Sequence, residues 1–196
     1  MKMQKGFYFD QTRCTGCQAC VVACKDWHDT PAGPSRWIHI TAAEQGVFPR
    51  PSLFFLFHTC YHCAEPACIS ACPHKAIMKR KDDGIVMVKG ECCVGREACG
   101  LCLEACLYRA PQFRTESGSP MEKCDLCLER WEKGKKPICV DSCPARALDA
   151  GILEDLEEEH RAVRDAEEFA CSPCLKPSIV FRRKRRGDLP EGAPAV

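Results

Sequence analysis

The sequence predicts an α+β fold built from two small modules, in tandem or interleaved, and three observations predict it. Cysteine makes up 19 of the 196 residues, so thiol chemistry dominates the chain. Most of those cysteines fall into four compact groups. Each of the first three groups follows a short strand-like run: Phe7-Tyr8-Phe9, then Leu53–Phe57, then Ile85–Val88 behind the turn pair Asp83-Gly84. Strand, cysteine loop, short helix and strand form the repeating unit, and two such units make one module.

Composition excludes several classes. Lys and Arg number 28 against 27 Asp and Glu, so no charge excess points to a nucleic-acid or polyacid partner. No apolar run approaches the roughly 18 residues of a membrane helix, and the densest stretch, Leu53–Phe57, is five long. Met1–Phe9 lacks the apolar centre of a signal peptide, and cysteines begin at Cys14, so a cytoplasmic location is expected; export bound to a signal-bearing partner is compatible with it. At 45% hydrophobic residues the chain is not a disordered one. An odd cysteine count argues against a fully paired disulfide scaffold, and thiols in a reducing compartment point to metal.

Spacing identifies the metal chemistry. Group one is Cys14-x2-Cys17-x2-Cys20-x3-Cys24, and group two is Cys60-x2-Cys63-x4-Cys68-x3-Cys72 followed by Pro73. Group three ends as Cys99-x2-Cys102-x3-Cys106, with Cys92 and Cys93 just upstream. Group four is Cys124-x2-Cys127-x11-Cys139-x3-Cys143 followed by Pro144. Cys-x2-Cys-x2-Cys-x3-Cys is the bacterial ferredoxin signature for [4Fe–4S] binding. Three close cysteines on a looping backbone reach three corners of one cubane, and the fourth points away to a neighbouring cluster. The proline after it starts an exit turn in which its missing N–H is no loss. Zinc is the competing reading, yet zinc sites use two cysteine pairs with a spacer and have no need of a third and fourth ligand in the same run. The one finger-like histidine pair, His58-x3-His62, interleaves with Cys60 and Cys63 instead of following a cysteine pair. Four groups therefore imply two ferredoxin-like modules and four clusters. Spacing alone leaves open which group pairs with which.

Between and beyond the groups the chain changes character. The segment before group two carries Pro31, Pro34, Pro49 and Pro51 and reads as an ordered connector with an edge strand near Trp37–Ile40. Ile152–Phe169 is a helix candidate with a partial apolar face of Leu153, Leu156, Val163 and Phe169. An extended Pro177–Phe181 follows, then the basic run Arg182–Arg186, suited to an acidic partner or a headgroup layer if it is not simply solvated. Cys171 and Cys174 stand outside the groups, either as a zinc or redox pair or as two thiols docked in the tail. Trp27, Trp37 and Trp131 read as packing around the cysteines. His28, His58, His62 and His74 sit near cysteines, where they tune rather than ligate.

Up to about Ala150 the chain resembles a known family: the four-cluster iron–sulfur subunits of molybdenum and tungsten pterin oxidoreductases, such as the DMSO reductase and formate dehydrogenase iron–sulfur subunits. The matching stretches are Arg13-Cys-x-Gly-Cys-x-x-Cys-Val-Val-Ala-Cys-Lys25, Cys60-x-His-Cys-x-x-Pro-x-Cys68, Asp83-Gly84-Ile85-Val86 and Ala110-Pro111-Gln112-Phe113. The most specific is Lys123-Cys-Asp-Leu-Cys-x-x-Arg-x-x-x-Gly-x-x-Pro-x-Cys-Val-x-x-Cys-Pro-x-x-Ala-Leu148. The resemblance implies that group one pairs with group four and group two with group three. An outer module of residues 1–30 plus 112–150 would then surround a connector, 31–59, and an inner module, 60–111, with a helical and basic extension at 151–196. By the same resemblance Cys14, Cys17, Cys20 and Cys143 hold one cluster, and Cys24, Cys124, Cys127 and Cys139 the second. Cys60, Cys63, Cys68 and Cys106 hold the third, and Cys72, Cys93, Cys99 and Cys102 the fourth.

The fourth set departs from the family pattern. Arg96-Glu97-Ala98 reads as a three-residue insertion, which makes Cys93 the favoured ligand, because Val94-Gly95 then matches the family spacer; Cys92 is the alternative. If neither reaches, a [3Fe–4S] cluster or an empty site results. Leu107 stands where a proline is usual. The resemblance implies a non-catalytic electron-transfer subunit with no catalytic residues. Its partners would be a large Mo- or W-bis-pterin catalytic subunit and a further redox protein or membrane anchor. A free-standing polyferredoxin and a zinc scaffold are the alternatives. A cubane with four thiolates carries −2, so four oxidised clusters turn the chain's formal +1 into about −7.

Overall fold

The computed structural model describes residues 3–49 and 51–184. Strand β1 (Lys5–Asp10) leads into helix α1 (Ala19–Trp27), followed by a hairpin of β2 (His39–Gln45) and β3 (Ser52–His58). The middle of the chain carries α2 (Ala67–Ser70), β4 (Ile77–Lys79), β5 (Val86–Val88), α3 (Gly95–Ala98), α4 (Leu101–Glu104) and the two-residue strands β6 (Gln112–Phe113) and β7 (Met121–Glu122). The last third holds α5 (Leu128–Glu132), α6 (Ile138–Asp141), β8 (Leu148–Ile152), α7 (Leu153–His160) and β9 (Ile179–Arg182). Most helices are a single turn, far below the length at which a helix is stable alone, so tertiary packing holds them.

The organising element is a three-stranded sheet in the order β8-β1-β9. There β1 is antiparallel to β8, with Phe7 opposite Ala150, and parallel to β9, with Phe7 opposite Ile179. The two-residue period of β1 divides its side chains. Phe7 and Phe9 enter the main core with Ile179, Phe181 and six of the buried cysteines, while Tyr8 faces the other way into a second cluster with Val180, Leu153 and Leu156 of α7. One face of the sheet thus packs on the cysteine-rich core, and α7 covers the other. Gly6 permits this: Phe7 N–H donates to Ser178 O at 3.0 Å, and a Cβ on Gly6 would overlap that carbonyl.

Hairpin β2–β3 pairs over seven residues, from His39 opposite His58 to Gln45 opposite Ser52. Its β3 strand drives Phe54, Leu56 and Phe57 inward, and the Phe57 ring meets Phe7 at 5.4 Å and Phe9 at 5.9 Å. Inner segments pair as β4–β5 and β6–β7 and enclose a smaller core of Ile77, Val86, Cys102 and Met121. Among the described residues no helix is long and apolar enough to cross a membrane.

Three expectations need correction. The connector strand begins at His39, past Trp37, because its partner β3 sets the register. The predicted helix to Phe169 ends at His160, where Arg161 turns left-handed. Only Leu153 and Leu156 of its apolar face are buried on it. Val163 bridges to Phe181 instead, and Phe169 stacks between Tyr108 and Phe181, so the two leave the helical period. The C-terminal segment is not a mere extension either: β9 is an integral sheet strand whose Ile179, Val180 and Phe181 are fully buried. Of the basic run, Arg185 and Arg186 lie outside the described residues, as does Pro190–Val196.

Replacing Phe181 with Ala in the iron-loaded protein should lower stability by about 3–5 kcal/mol, the usual cost of emptying a buried phenylalanine site. Denaturant midpoints of Phe181→Ala against wild type measure it. An unchanged midpoint would mean that β9 is dispensable to the sheet.

Candidate metal centres

The loop after β1 carries Cys14 and Cys17 into the first turn of α1, where Cys20 follows. Gly16 at φ +70° and Gln18 at φ +64° supply the left-handed turns that curl this backbone. Cys14, Cys17 and Cys20 line one cavity together with Cys143, which follows α6 in the last third of the chain. Burial, then the charges of Cys14 and Cys143, push the Cys20 thiol up to about 12. Burial first, then Cys143 and Cys17, raise Cys14.

The second group assembles Cys24 of α1, Cys124 and Cys127 ahead of α5, and Cys139 of α6, all four buried. Burial and then Cys127 lift the Cys24 thiol to about 12; Cys127 rises to about 11, chiefly by burial. Cys124 and Cys139 are buried and held well above the ordinary thiol range by that burial, and then by the charges of the other thiols in this group. The third group, Cys60, Cys63, Cys68 and Cys106, lines a cavity beneath Tyr61 and Tyr108. Burial followed by Cys60 puts both Cys63 and Cys68 at about 12. The fourth group, Cys72, Cys93, Cys99 and Cys102, lines a cavity beside β4 and β5, and burial followed by Cys93 raises Cys102 to about 11. Cys92, in the 3₁₀ turn Gly90–Cys92, is exposed and lines no part of that cavity.

A local motif recurs at three of the sites. Ala76, Ala110 and Ala147 each donate a backbone N–H to the sulfur four residues earlier, at Cys72 (3.3 Å), Cys106 (3.5 Å) and Cys143 (3.3 Å). The residue between, Lys75, Arg109 or Arg146, sits at φ +50 to +52° and turns the amide towards the sulfur. Its sequence signal is Cys-x2-[Lys/Arg]-Ala, present three times, a pattern that reasoning from cysteine spacing alone passes over. It explains why Leu107 can replace proline: the turn depends on the left-handed third residue, not on the ring. Met121 N–H gives Cys93 the same kind of contact from outside the loop, at 3.3 Å.

The four groups lie in series. Cys20 of the first is an electrostatic neighbour of Cys24 and Cys139 of the second, Cys124 of the second neighbours Cys60 of the third, and Cys68 of the third neighbours Cys102 of the fourth. Lys123 is buried near the second and third groups, its Nζ donating to Val86 O and to Cys124 O at 2.9 Å, and its charge favours the Cys68 thiolate. The fully buried His62 accepts Val86 N–H at 3.0 Å, and burial, followed by Lys123 and Lys79, holds its imidazole neutral. His28 Nε2 lies 3.5 Å from Cys127 Sγ, and His74 lines the fourth cavity, whereas His58 stacks on His39 and lines none. Trp37 packs on His28, Trp131 beneath Lys5 and Trp27 beneath Arg130. Cys171 and Cys174 are exposed on the loop ahead of β9, and neither lines a cysteine cavity.

These donor sets suit a polythiolate metal core. Sixteen thiols are gathered in four sets, and at ten of them, with members in every set, burial disfavours the thiolate, so ionisation there needs a cation supplied with the metal. Every set draws one cysteine from a different loop, the exchange that the ferredoxin ligand pattern requires.

Profiles of the 4Fe-4S dicluster domain match residues 51–153 and residues 13–77. The protein is 41% identical over 189 residues to the B subunit of anaerobic dimethyl sulfoxide reductase from Escherichia coli K12, covering 93% of its own length and 90% of that relative. It is 37% identical over 198 residues to the subunit of the same name from Haemophilus influenzae, covering 95% and 92%. With the protein NrfC of Escherichia coli K12 it shares 37% over 154 residues, covering 79% and 68%.

Alkylation of the native, iron-loaded protein should label Cys92, Cys171 and Cys174 and spare the cysteines of the four sets. Mass spectrometry of peptides after iodoacetamide checks this. Fast labelling of Cys93 with protection of Cys92 would reverse the order of that pair.

Proposed function

The chain belongs to the 4Fe-4S dicluster family, and we propose that it serves there as an electron-transfer subunit that joins a catalytic partner to a second redox partner. The observation that carries this reading is the serial order of the four cysteine sets. The second set is wholly buried, while the first and last reach the surface through the exposed Cys17 and beside the exposed Val94 and Leu101. When bound, [4Fe–4S] clusters supply one-electron redox chemistry. The chain's own residues bind, space and insulate.

We assign Cys14, Cys17, Cys20 and Cys143 to the first cluster and Cys24, Cys124, Cys127 and Cys139 to the second. Cys60, Cys63, Cys68 and Cys106 take the third, and Cys72, Cys93, Cys99 and Cys102 the fourth. Amides of Ala147, Leu126 and Ala110 donate to sulfurs of the first, second and third sets, and those of Ala76 and Met121 to the fourth, favouring added negative charge at each site; Lys123 does so electrostatically between the second and third. Phe7, Phe9, Phe57 and Leu126 exclude water from the interior sets. In domain terms, residues 1–30 with 112–150 form the outer module and 60–111 the inner one. β9 adds a strand to the outer module from the far end of the chain. The partner at one end is a catalytic subunit of the Mo- or W-bis-pterin class; at the other it is a redox protein or membrane anchor. A reducing compartment, the cytoplasm, suits its many free thiols.

Elemental analysis of anaerobically purified native protein tests this reading, with about 16 Fe per chain and co-purifying Mo or W as the expected result. Zinc without iron would overturn the cluster assignment. A chain that always purifies alone would overturn the subunit role and leave a diffusing carrier. Cys93→Ala should lower the iron to about 15 or 12 per chain, whereas Cys92→Ala should leave it at about 16.

A further inference from the structure

One cavity, of about 360 Å³, holds no cysteine. It opens between β1, β8, β9 and the approach to α6, with the buried Tyr8 and Leu148 in its wall. Leu148 also lines the cavity of the first cysteine set, so the two are neighbours.

Its charges are unequally committed. The three carboxylates that line it are all engaged. Asp10 accepts from Thr12 N–H at 2.8 Å, Thr12 Oγ1 at 2.6 Å and Tyr8 OH at 3.3 Å. Asp141 pairs with Arg130, and Asp149 pairs with Lys136 and lies 3.4 Å from His160 Nε2. Arg13, Arg146 and Arg182 also line the cavity, and among the described residues none of the three has a carboxylate within ion-pair distance. With Lys136, four cations line the cavity against three carboxylates, and Arg130, outside the lining, engages Asp141 as well.

The three arginines come from three distant segments: the loop after β1, the turn after Cys143 and the end of β9. Uncompensated like charges at close quarters cost stability, and nothing in the local sequence forces them together. An arginine fork matches two oxygens of a tetrahedral oxyanion, and three unpaired arginines lining one concavity suit such a group.

We propose that this cavity is an oxyanion-binding site for a phosphoryl group, held by Arg13, Arg146 and Arg182. Asp149 keeps Lys136 at the rim, and the Thr12 and Tyr8 contacts hold Asp10 back from the incoming anion. The site stands apart from the electron-relay reading, because it needs no cysteine and no cluster. The phosphoryl group can come from a free phosphate or ester, or from a lipid headgroup. The second source is compatible with the basic run that continues from Arg182.

Calorimetric titration of inorganic phosphate into the anaerobically purified, iron-loaded protein tests it, at low ionic strength and slightly above neutral pH. Saturable one-site binding is expected, weakened about tenfold or more by each of Arg13→Gln, Arg146→Gln and Arg182→Gln, which each remove a charged hydrogen bond. Lys133→Gln, at the exposed C-terminal cap of α5, should bind as wild type does, and unchanged iron content shows that each variant is folded. A parallel arm measures co-sedimentation with phosphatidylglycerol vesicles against phosphatidylcholine vesicles. Arginine-dependent binding there, without binding of free phosphate, assigns the lipid source. Binding of neither probe overturns the proposal. So does phosphate binding that Lys133→Gln weakens equally or that chloride at matched ionic strength abolishes, since it would reflect only general surface charge.

Discussion

The structure depends on a single electrostatic constraint: thiols that must become thiolates are buried where thiolates are unfavourable. Burial raises the Cys124 and Cys139 thiols well above their ordinary range, and lifts Cys20, Cys24, Cys63 and Cys68 to about 12. A metal core supplies the missing positive charge, so metal loading and folding are one equilibrium. The rest of the architecture serves to bring four thiols together at each of four points and to keep water away from the middle ones. The helices are correspondingly short: α2, α4 and α6 are single turns, each carrying one cysteine of a set, Cys68, Cys102 and Cys139.

That constraint also shapes the topology. The first cysteine set needs residues from both ends of the cluster-bearing chain, Cys14 and Cys143, as does the second, Cys24 and Cys124. Strands β1 and β8 pair antiparallel beside these sets and fix the two chain segments at the required separation. β9 then closes the far edge of β1, and α7 covers the outer face through Leu153 and Leu156. The third set lies under Tyr61 and Tyr108, whose rings pack with Phe169 edge-on and face-to-face, and the fourth is walled by Ile77, Val88, Phe113 and Met121.

Fine control lies in backbone rather than side chains. The threefold Cys-x2-[Lys/Arg]-Ala turn delivers an amide to a sulfur without using any side-chain donor, and the third residue leaves its charged head free for other work. Arg146 illustrates this: its backbone turns the amide of Ala147 onto Cys143, and the same residue lines the basic cavity next door. One residue thus connects the first cysteine set to a surface of a different chemistry.

Much of this is legible in the amino-acid order because it is local. Cysteine spacing marks the loops, Asp83-Gly84 marks the turn before β5, and the run Phe7-Tyr8-Phe9 marks a strand. These signals arise from contacts within a few residues, which leave a period or a motif in the sequence. Spacing leaves open which cysteine crosses to which set, and it does not choose between Cys92 and Cys93. Both depend on contacts across long stretches of chain, as when Met121 N–H meets Cys93. The tail departs from its sequence reading for the same reason: Val163 and Phe169 look helical in order, yet pairing with Phe181 and packing on Tyr108 draw them elsewhere. The sequence by itself determined the cysteine inventory and the local turns that aim it. Only the tertiary structure decided the serial order of the sets, the place of β9 and the convergence of Arg13, Arg146 and Arg182, because charge and packing act through space between segments that share no local pattern.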